Sequence, residues 1–252
     1  MLSRIQAISQ LFILKDVSVH KMYSSKQAMD ELDRLNNVSL NSKYHQFKRC
    51  IISCNIRSLS RHFQSLKSIP RLDSADVICC QETWLSNTDA DGFEIDGFQL
   101  HLNSVGRGKG IATYHKSNYI FVEDTTRINQ QMTKISSQSQ DIINVYMSSG
   151  ASSSLFNEDI LKLFDCTKTT FIVGDFNICF KAENNHPVLR NLEKIGFVQK
   201  VLAPTHIEGR QIDHVFVFSP DHATYAKTEV VQQSSFFGDH DIIFVTQVHS
   251  ID

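Results

Sequence analysis

No apolar run in this 252-residue chain approaches the roughly 20 residues needed to cross a bilayer, so no membrane-spanning helix is expected. The early stretch Leu11-Phe12-Ile13-Leu14 is closed by Lys15-Asp16 and is too short for the core of a secretory signal. None of the six cysteines (Cys50, Cys54, Cys79, Cys80, Cys166, Cys179) forms a Cys-x-x-Cys pair, and no His-rich partner segment is present, which argues against a zinc ribbon. Most lie in or beside apolar, β-rich stretches and read as reduced, buried thiols of an intracellular protein. Internal repeats and low-complexity tracts are also missing, which argues against a solenoid.

The net charge is only −2, so bulk electrostatics give no argument for nucleic acid. The charge is unevenly spread, however. Residues 1–49 hold eight Lys/Arg against four Asp/Glu, a balance of +4, which leaves −6 for residues 50–252. An acidic body needs cations before a phosphate can approach it, which leans towards a divalent metal.

Two regions separate along the chain. Residues 1–44 lack β-rich runs and carry one helical pattern, Ser25 to Asn36, in which Met29, Leu32 and Leu35 recur at spacing three. From residue 45 onwards short β-rich runs recur: Cys50–Cys54, Val77–Gln81, Gly110–His115, Ile142–Tyr146, Thr170–Val173, Ile212–Phe218 and Ile242–Val248. Helical stretches Ser60–Ile69, Asn157–Asp165 and His186–Ile195 lie between them. Runs such as Ile142–Val145 are continuously apolar, as strands covered on both faces are. An α/β sandwich follows, with two sheets packed face to face and helices outside.

A polar or ionisable residue stands where each apolar strand ends. Cys54 is followed by Asn55, Gln81 by Glu82, Val145 by Tyr146, and Gly174 by Asp175 with Asn177 two residues on. Asp213 follows Ile212, and Asp239-His240 precedes the last strand. Singly, each reads as a turn residue, a cap or a surface pair. Together and in order, they are the side chains that a scaffold gathers at one rim of a sheet pair.

The set Cys54-Asn55-Ile56-Arg57, Cys80-Gln81-Glu82-Thr83-Trp84, Val145-Tyr146, Val173-Gly174-Asp175-Phe176-Asn177, Ile212-Asp213-His214-Val215 and Gly238-Asp239-His240-Asp241 resembles the endonuclease/exonuclease/phosphatase superfamily over about residues 48–249. Asn55-Ile56-Arg57-Ser58-Leu59, Gln81–Leu85 and Pro204-Thr205-His206 most resemble endonucleases of non-LTR retrotransposons and related mobile elements. The segment Lys21–Leu35 is similar to the tail of a Helitron-type element. The resemblance implies a DNase I-like, four-layer α/β sandwich over residues 45–252, with residues 1–44 as an extension. It also implies a Mg²⁺-dependent phosphodiester hydrolase, with Mn²⁺ as a substitute, that nicks DNA to leave a 3′-hydroxyl, and no obligate protein partner.

By the same resemblance Asn55, Glu82, Asp239 and Asp175 would hold the metal. Tyr146, Asp175, Asn177, Asp213, Asp239 and His240 would carry the chemistry, with Asp213 fixing the tautomer of His240. Which of Asp175 and His240 is the base stays open. Two departures stand out: Gly238 replaces the usual Ser before Asp239, and Met147-Ser148 replaces a small residue and Pro after Tyr146. Gly106-Arg107-Gly108-Lys109-Gly110 lacks the phosphate-loop pattern and precedes a strand, so it reads as a turn. Arg107 and Lys109, with Thr205 and His206, are candidate substrate contacts.

Three readings remain at this stage: a mobile-element DNA endonuclease, another phosphoesterase on the same scaffold, or a non-catalytic relic. The second class includes abasic-site nucleases, RNA deadenylases, and phosphoinositide or sphingomyelin phosphodiesterases. Residues 205–213 lack the Trp-Cys-Asp-Arg signature of inositol polyphosphate phosphatases. An enzyme acting on genomic DNA would be expected in the nucleus.

Overall fold

The computed structural model describes residues 47–86, 91–106, 108–179, 182, 185–221, 228–235 and 238–248. The helix expected over Ser25–Asn36 and the candidate contact Arg107 lie outside these residues.

The described residues form two six-stranded sheets with helices on their outer faces. In chain order the elements are β1 (Phe47–Asn55), α1 (Leu59–Lys67), β2 (Val77–Gln81), β3 (Gln99–Asn103), β4 (Ile111–His115), β5 (Ile120–Arg127), β6 (Gln130–Ser136) and β7 (Gln140–Met147). Then come α2 (Ser153–Leu163), β8 (Thr169–Asp175), α3 (Pro187–Ile195), β9 (Val198–Gln199), β10 (Asp213–Phe218), β11 (Thr228–Ser234) and β12 (Asp241–Val248). The first sheet runs β11-β12-β1-β2-β4-β3 and the second β5-β6-β7-β8-β10-β9. Only β1–β2 and β7–β8 are parallel pairs; the other neighbours run antiparallel.

Strand alternation sorts the apolar side chains into three buried layers. On β1, Ile52 and Cys54 face α1, where they meet Leu59, Phe63 and Leu66. Ile51 points the other way, to an inner layer shared with Val77, Ile142, Phe171, Val173, Val215 and Val245. On β7 and β8, Ile143, Val145 and Ile172 face α2 and α3, packing with Phe156, Ile160, Leu189 and Phe216. The order helix, sheet, sheet, helix is the four-layer sandwich expected from the sequence. Each such fully buried side chain stabilises the fold by about 1.5–3 kcal/mol, before cavity effects.

The helices are placed by local chemistry. Ser152 accepts from the Leu155 N–H and caps α2, and α3 begins with Pro187 and stops at Gly196 in the left-handed region. The inner layer turns polar near one rim. There Gln81 Nε2 donates to Asn144 Oδ1 at 2.8 Å, and Asn144 Nδ2 donates to the Ala112 carbonyl and to Thr113 Oγ1. These buried amides tie β2 and β4 to β7 at a fixed register, because an unpaired amide there costs about 1–3 kcal/mol.

Candidate active site

The C-terminal ends of the two parallel pairs, with the starts of β10 and β12, form one rim. Register puts Asn55 beside Gln81, Tyr146 beside Asp175, and Asp175 beside Asp213. Gly174 makes the second of these approaches, Tyr146 beside Asp175, possible. Its φ is +141°, and a Cβ there would sit 1.9 Å from the Val145 carbonyl oxygen, so only glycine lets β8 lie against β7 at this point.

Asn55, almost fully buried, is the hub. Its Nδ2 donates to Glu82 Oε1 at 3.1 Å and to Asp175 Oδ2 at 2.9 Å, and stands 3.5 Å from His240 Nε2. Glu82 sits just past β2 in a turn at φ +53°. Its other oxygen accepts from Trp84 Nε1 at 3.4 Å, and Tyr146 OH lies 3.5 Å from Oε1. Burial and the nearby Glu82 and Asp175 charges push the Tyr146 phenol upward, so it stays a donor.

Asp175 is fully buried, and its oxygens accept from the Asn177 backbone N–H at 2.8 Å, Asn177 Nδ2 at 3.1 Å and Asn55 Nδ2. Burial, then the neighbouring Asp213, pushes its carboxyl up to about 8. Asn177, at φ +52°, also donates to the Met147 carbonyl at 2.7 Å, so the segment after Tyr146 is fastened to this site.

Asp213 grips His240. Both carboxylate oxygens lie within 3.0 Å of His240 Nδ1, which fixes a proton there and leaves Nε2 facing Asn55. Burial works against the imidazolium, but the Asp213 hydrogen bond and charge, with Asp175 and Asp239, push His240 up to about 9. Burial also opposes ionisation of Asp239. Its own backbone N–H, Arg57, His240 and His206 nevertheless hold it below the usual carboxylate range.

Sequence expectation and structure part at the proposed substrate contacts. Thr205 is fully buried, and its hydroxyl accepts from the Ile212 and Asp213 backbone N–H groups, so it supports Asp213 rather than facing solvent. Lys109 Nζ is spent on Asn129 Oδ1 at 3.0 Å and on the Ile128 carbonyl. His206 stands inside the site, with Nε2 3.3 Å from Asp239 Oδ2. Arg57, quoted only as part of a motif, places Nη1 2.5 Å from the same oxygen. Its backbone at φ +42° has no sequence signal, because arginine seldom marks such a turn.

Two groups of described side chains could hold a metal ion: His206, Asp239 and His240, and Asp175, Asp213 and His240, each offering ligand atoms within 4.8 Å of one another, with Glu82 in neither group. Asp239 Oδ1 is buried and, among the described residues, has no hydrogen-bond partner, as a ligand oxygen waiting for a cation would be.

Two packed mixed sheets with flanking helices make a DNase I-like α/β sandwich. Solved structures of that fold overlie this chain along nearly their whole length. A 3′ phosphatase from Neisseria bound to a product DNA hairpin matches at TM-score 0.61 and 16% identity, over 80% of this chain and 100% of that one. An AP endonuclease from Archaeoglobus fulgidus matches at TM-score 0.61 and 15% identity, over 79% and 99%. The endonuclease domain of TRAS1, a telomere-specific non-LTR retrotransposon, matches at TM-score 0.61 and 13% identity, over 79% and 98%. No family model and no curated protein matches the chain.

Proposed function

We propose that this chain is a divalent-metal-dependent phosphodiester hydrolase that nicks DNA and leaves a 3′-hydroxyl. The observation that carries the reading is Asn55 Nδ2, which reaches Glu82, Asp175 and His240 at once and so gathers a metal ligand, a base and a phosphate donor around one point.

Glu82, Asn55 and Asp239 would hold Mg²⁺ or Mn²⁺, which when bound neutralises the scissile phosphate and the charge on the leaving oxygen. Asp175 is the weaker ligand candidate, since it is fully buried and its three N–H donors lie at 2.8–3.1 Å, whereas the three donors on Glu82 lie at 3.1–3.5 Å. Its carboxyl, pushed up to about 8, is a strong base once ionised, so it would take the proton from the attacking water in a fraction of molecules that grows towards pH 8. His240, charged at neutral pH and held by Asp213, donates from Nε2 to a non-bridging phosphate oxygen. Tyr146 OH adds a second donor. Water attacks phosphorus, the bond from phosphorus to O3′ breaks, and the departing oxygen collects a proton to become the 3′-hydroxyl.

A DNA substrate is the reading favoured by the sequence resemblance to mobile-element endonucleases and by the DNA-acting proteins of the same fold. Action on genomic DNA would place the protein in the nucleus. Nicking of supercoiled plasmid with Mg²⁺ and with EDTA tests it. Wild type should nick only with metal, and Asp175→Ala and His240→Ala should each lose about 10²–10⁴ in rate, the range of one acid–base group. Cleavage confined to abasic DNA, poly(A) or phosphoinositide would move the substrate elsewhere on the same scaffold. A folded protein inert on all of them would refute hydrolysis.

A further inference from the structure

Asp239 is held asymmetrically. Its Oδ2 meets both Arg57 Nη1, at 2.5 Å, and His206 Nε2, at 3.3 Å. Its Oδ1 is buried, has no hydrogen-bond partner among the described residues, and has only the looser ion-pair contact with His240 Nε2 at 3.9 Å. A carboxylate turns freely about its last bond unless one oxygen is tied. Here one is tied, and the other aims into the site.

The two ties are unequal. Arg57 has a side chain 47% exposed, so solvent screens much of its pull. The His206 side chain is only 7% exposed. Its Nδ1 accepts from the Glu208 backbone N–H at 3.2 Å, so the neutral ring carries its proton on Nε2, the atom that faces Asp239. Its backbone bridges to His240, the Ile207 N–H donates to the Asp239 carbonyl at 2.9 Å, and the Asp241 N–H donates to the Thr205 carbonyl at 2.7 Å. The segment that carries His206 is therefore stitched to the segment that carries Asp239 and His240.

We infer that His206 is a positioning residue: it fixes the Asp239 carboxylate so that Oδ1 faces the metal, and it does not contact substrate. The inference rests on the metal-dependent reading above. Groups that orient a metal ligand from behind commonly set 10- to 100-fold of metal affinity.

The test is Mn²⁺ binding to the whole chain, followed by the electron paramagnetic resonance of the free ion, with plasmid nicking kinetics alongside. His206→Ala should raise the Mn²⁺ Kd by about ten-fold or more, and leave the KM for DNA unchanged. His206→Gln, which keeps an N–H donor, should restore most of the affinity. His206→Asn, whose amide is too short to reach Asp239, gives the same reading should the alanine variant not fold. Wild-type Mn²⁺ affinity in His206→Ala, with Glu82→Gln clearly weakened, would overturn the positioning role and leave the metal reading intact. A raised KM with unchanged Mn²⁺ affinity would overturn it in favour of substrate contact. Absence of any Mn²⁺ binding that Glu82→Gln weakens would bring down both readings.

Discussion

Replacing Gly174 by alanine places a methyl group where β8 touches β7. The new Cβ would lie 1.9 Å from the Val145 carbonyl oxygen, whereas real Cβ contacts essentially never fall below 3.0 Å, so the strands must part by at least 1.1 Å. The φ of +141° adds backbone strain of about 1–3 kcal/mol. Each ladder hydrogen bond lost as the strands separate adds about 1 kcal/mol. A total near 4 kcal/mol is a large share of the roughly 5–15 kcal/mol that holds a domain folded. Gly92 is the control: its φ is +88°, but nothing lies within 4 Å of its Cβ position, so Gly92→Ala should cost only about 1–2 kcal/mol. Urea unfolding of the two variants, extrapolated to water, should separate them by at least about 2 kcal/mol. Nicking by Gly174→Ala should fall further than its folded fraction explains, because Tyr146 and Asp175 are register partners across the same pair of strands. Equal stabilities for the two variants would refute the close-approach argument.

Without metal, the chain should lose stability as pH rises. His240 is raised in the folded state to about 9 from the ordinary 6.5, so its contribution is complete below about 6.5 and is lost on the way to about 9. At 1.36 kcal/mol per pH unit that interval is worth about 3 kcal/mol, and urea melts in EDTA should show a shallower slope in His240→Asn than in wild type, with Asp175, raised to about 8, supplying what remains. Asp141→Asn should cost about 3–5 kcal/mol, read by the same melts, because it strips the partner from buried Lys134, 2.7 Å away. Tyr146→Phe keeps the ring packed and removes one weak hydroxyl contact of 3.5 Å, so its urea midpoint should hardly move. Its nicking rate should fall by about 10- to 100-fold if the phenol donates to the phosphate.

Apolar runs announce the inner strands faithfully. β2, β7, β8, β10 and β12 all lie where continuous or near-continuous hydrophobic sequence adjoins a polar residue, after the run in β2, β7 and β8 and before it in β10 and β12. Strands β3, β5, β6 and β11 carry no such mark. β6 is buried from end to end although it reads Gln-Gln-Met-Thr-Lys-Ile-Ser, because its polar groups find distant partners. Gln130 donates to Asp159 at 2.7 Å and Lys134 to the Leu163 carbonyl at 2.6 Å, each 29 positions along the chain. Periodicity cannot foresee bonds between residues dozens of positions apart. The expected helix Asn157–Asp165 begins earlier, at Ser153, since Ser152 supplies a cap within a serine run that reads as loop. At the candidate site, strand-end position marks Asn55, Glu82, Tyr146, Asp175, Asp213 and His240 as a set, and the structure brings them to one rim. The hold of His206 and Arg57 on Asp239 depends on chain geometry that no local pattern encodes.

The candidate machinery is divided between the layers. Asn55 and Glu82, with Asp239 and His240 at the head of β12, belong to the first sheet; Tyr146, Asp175 and Asp213 belong to the second. The links Asn55–Asp175 and His240–Asp213 therefore cross from one sheet to the other. Apolar contact between the sheets is non-directional and tolerates a small slide, whereas a hydrogen bond near 3 Å does not. The site thus behaves as an alignment gauge for the whole sandwich. Any influence that shears the layers by a fraction of a side chain would silence the chemistry while leaving the core buried and the secondary structure intact.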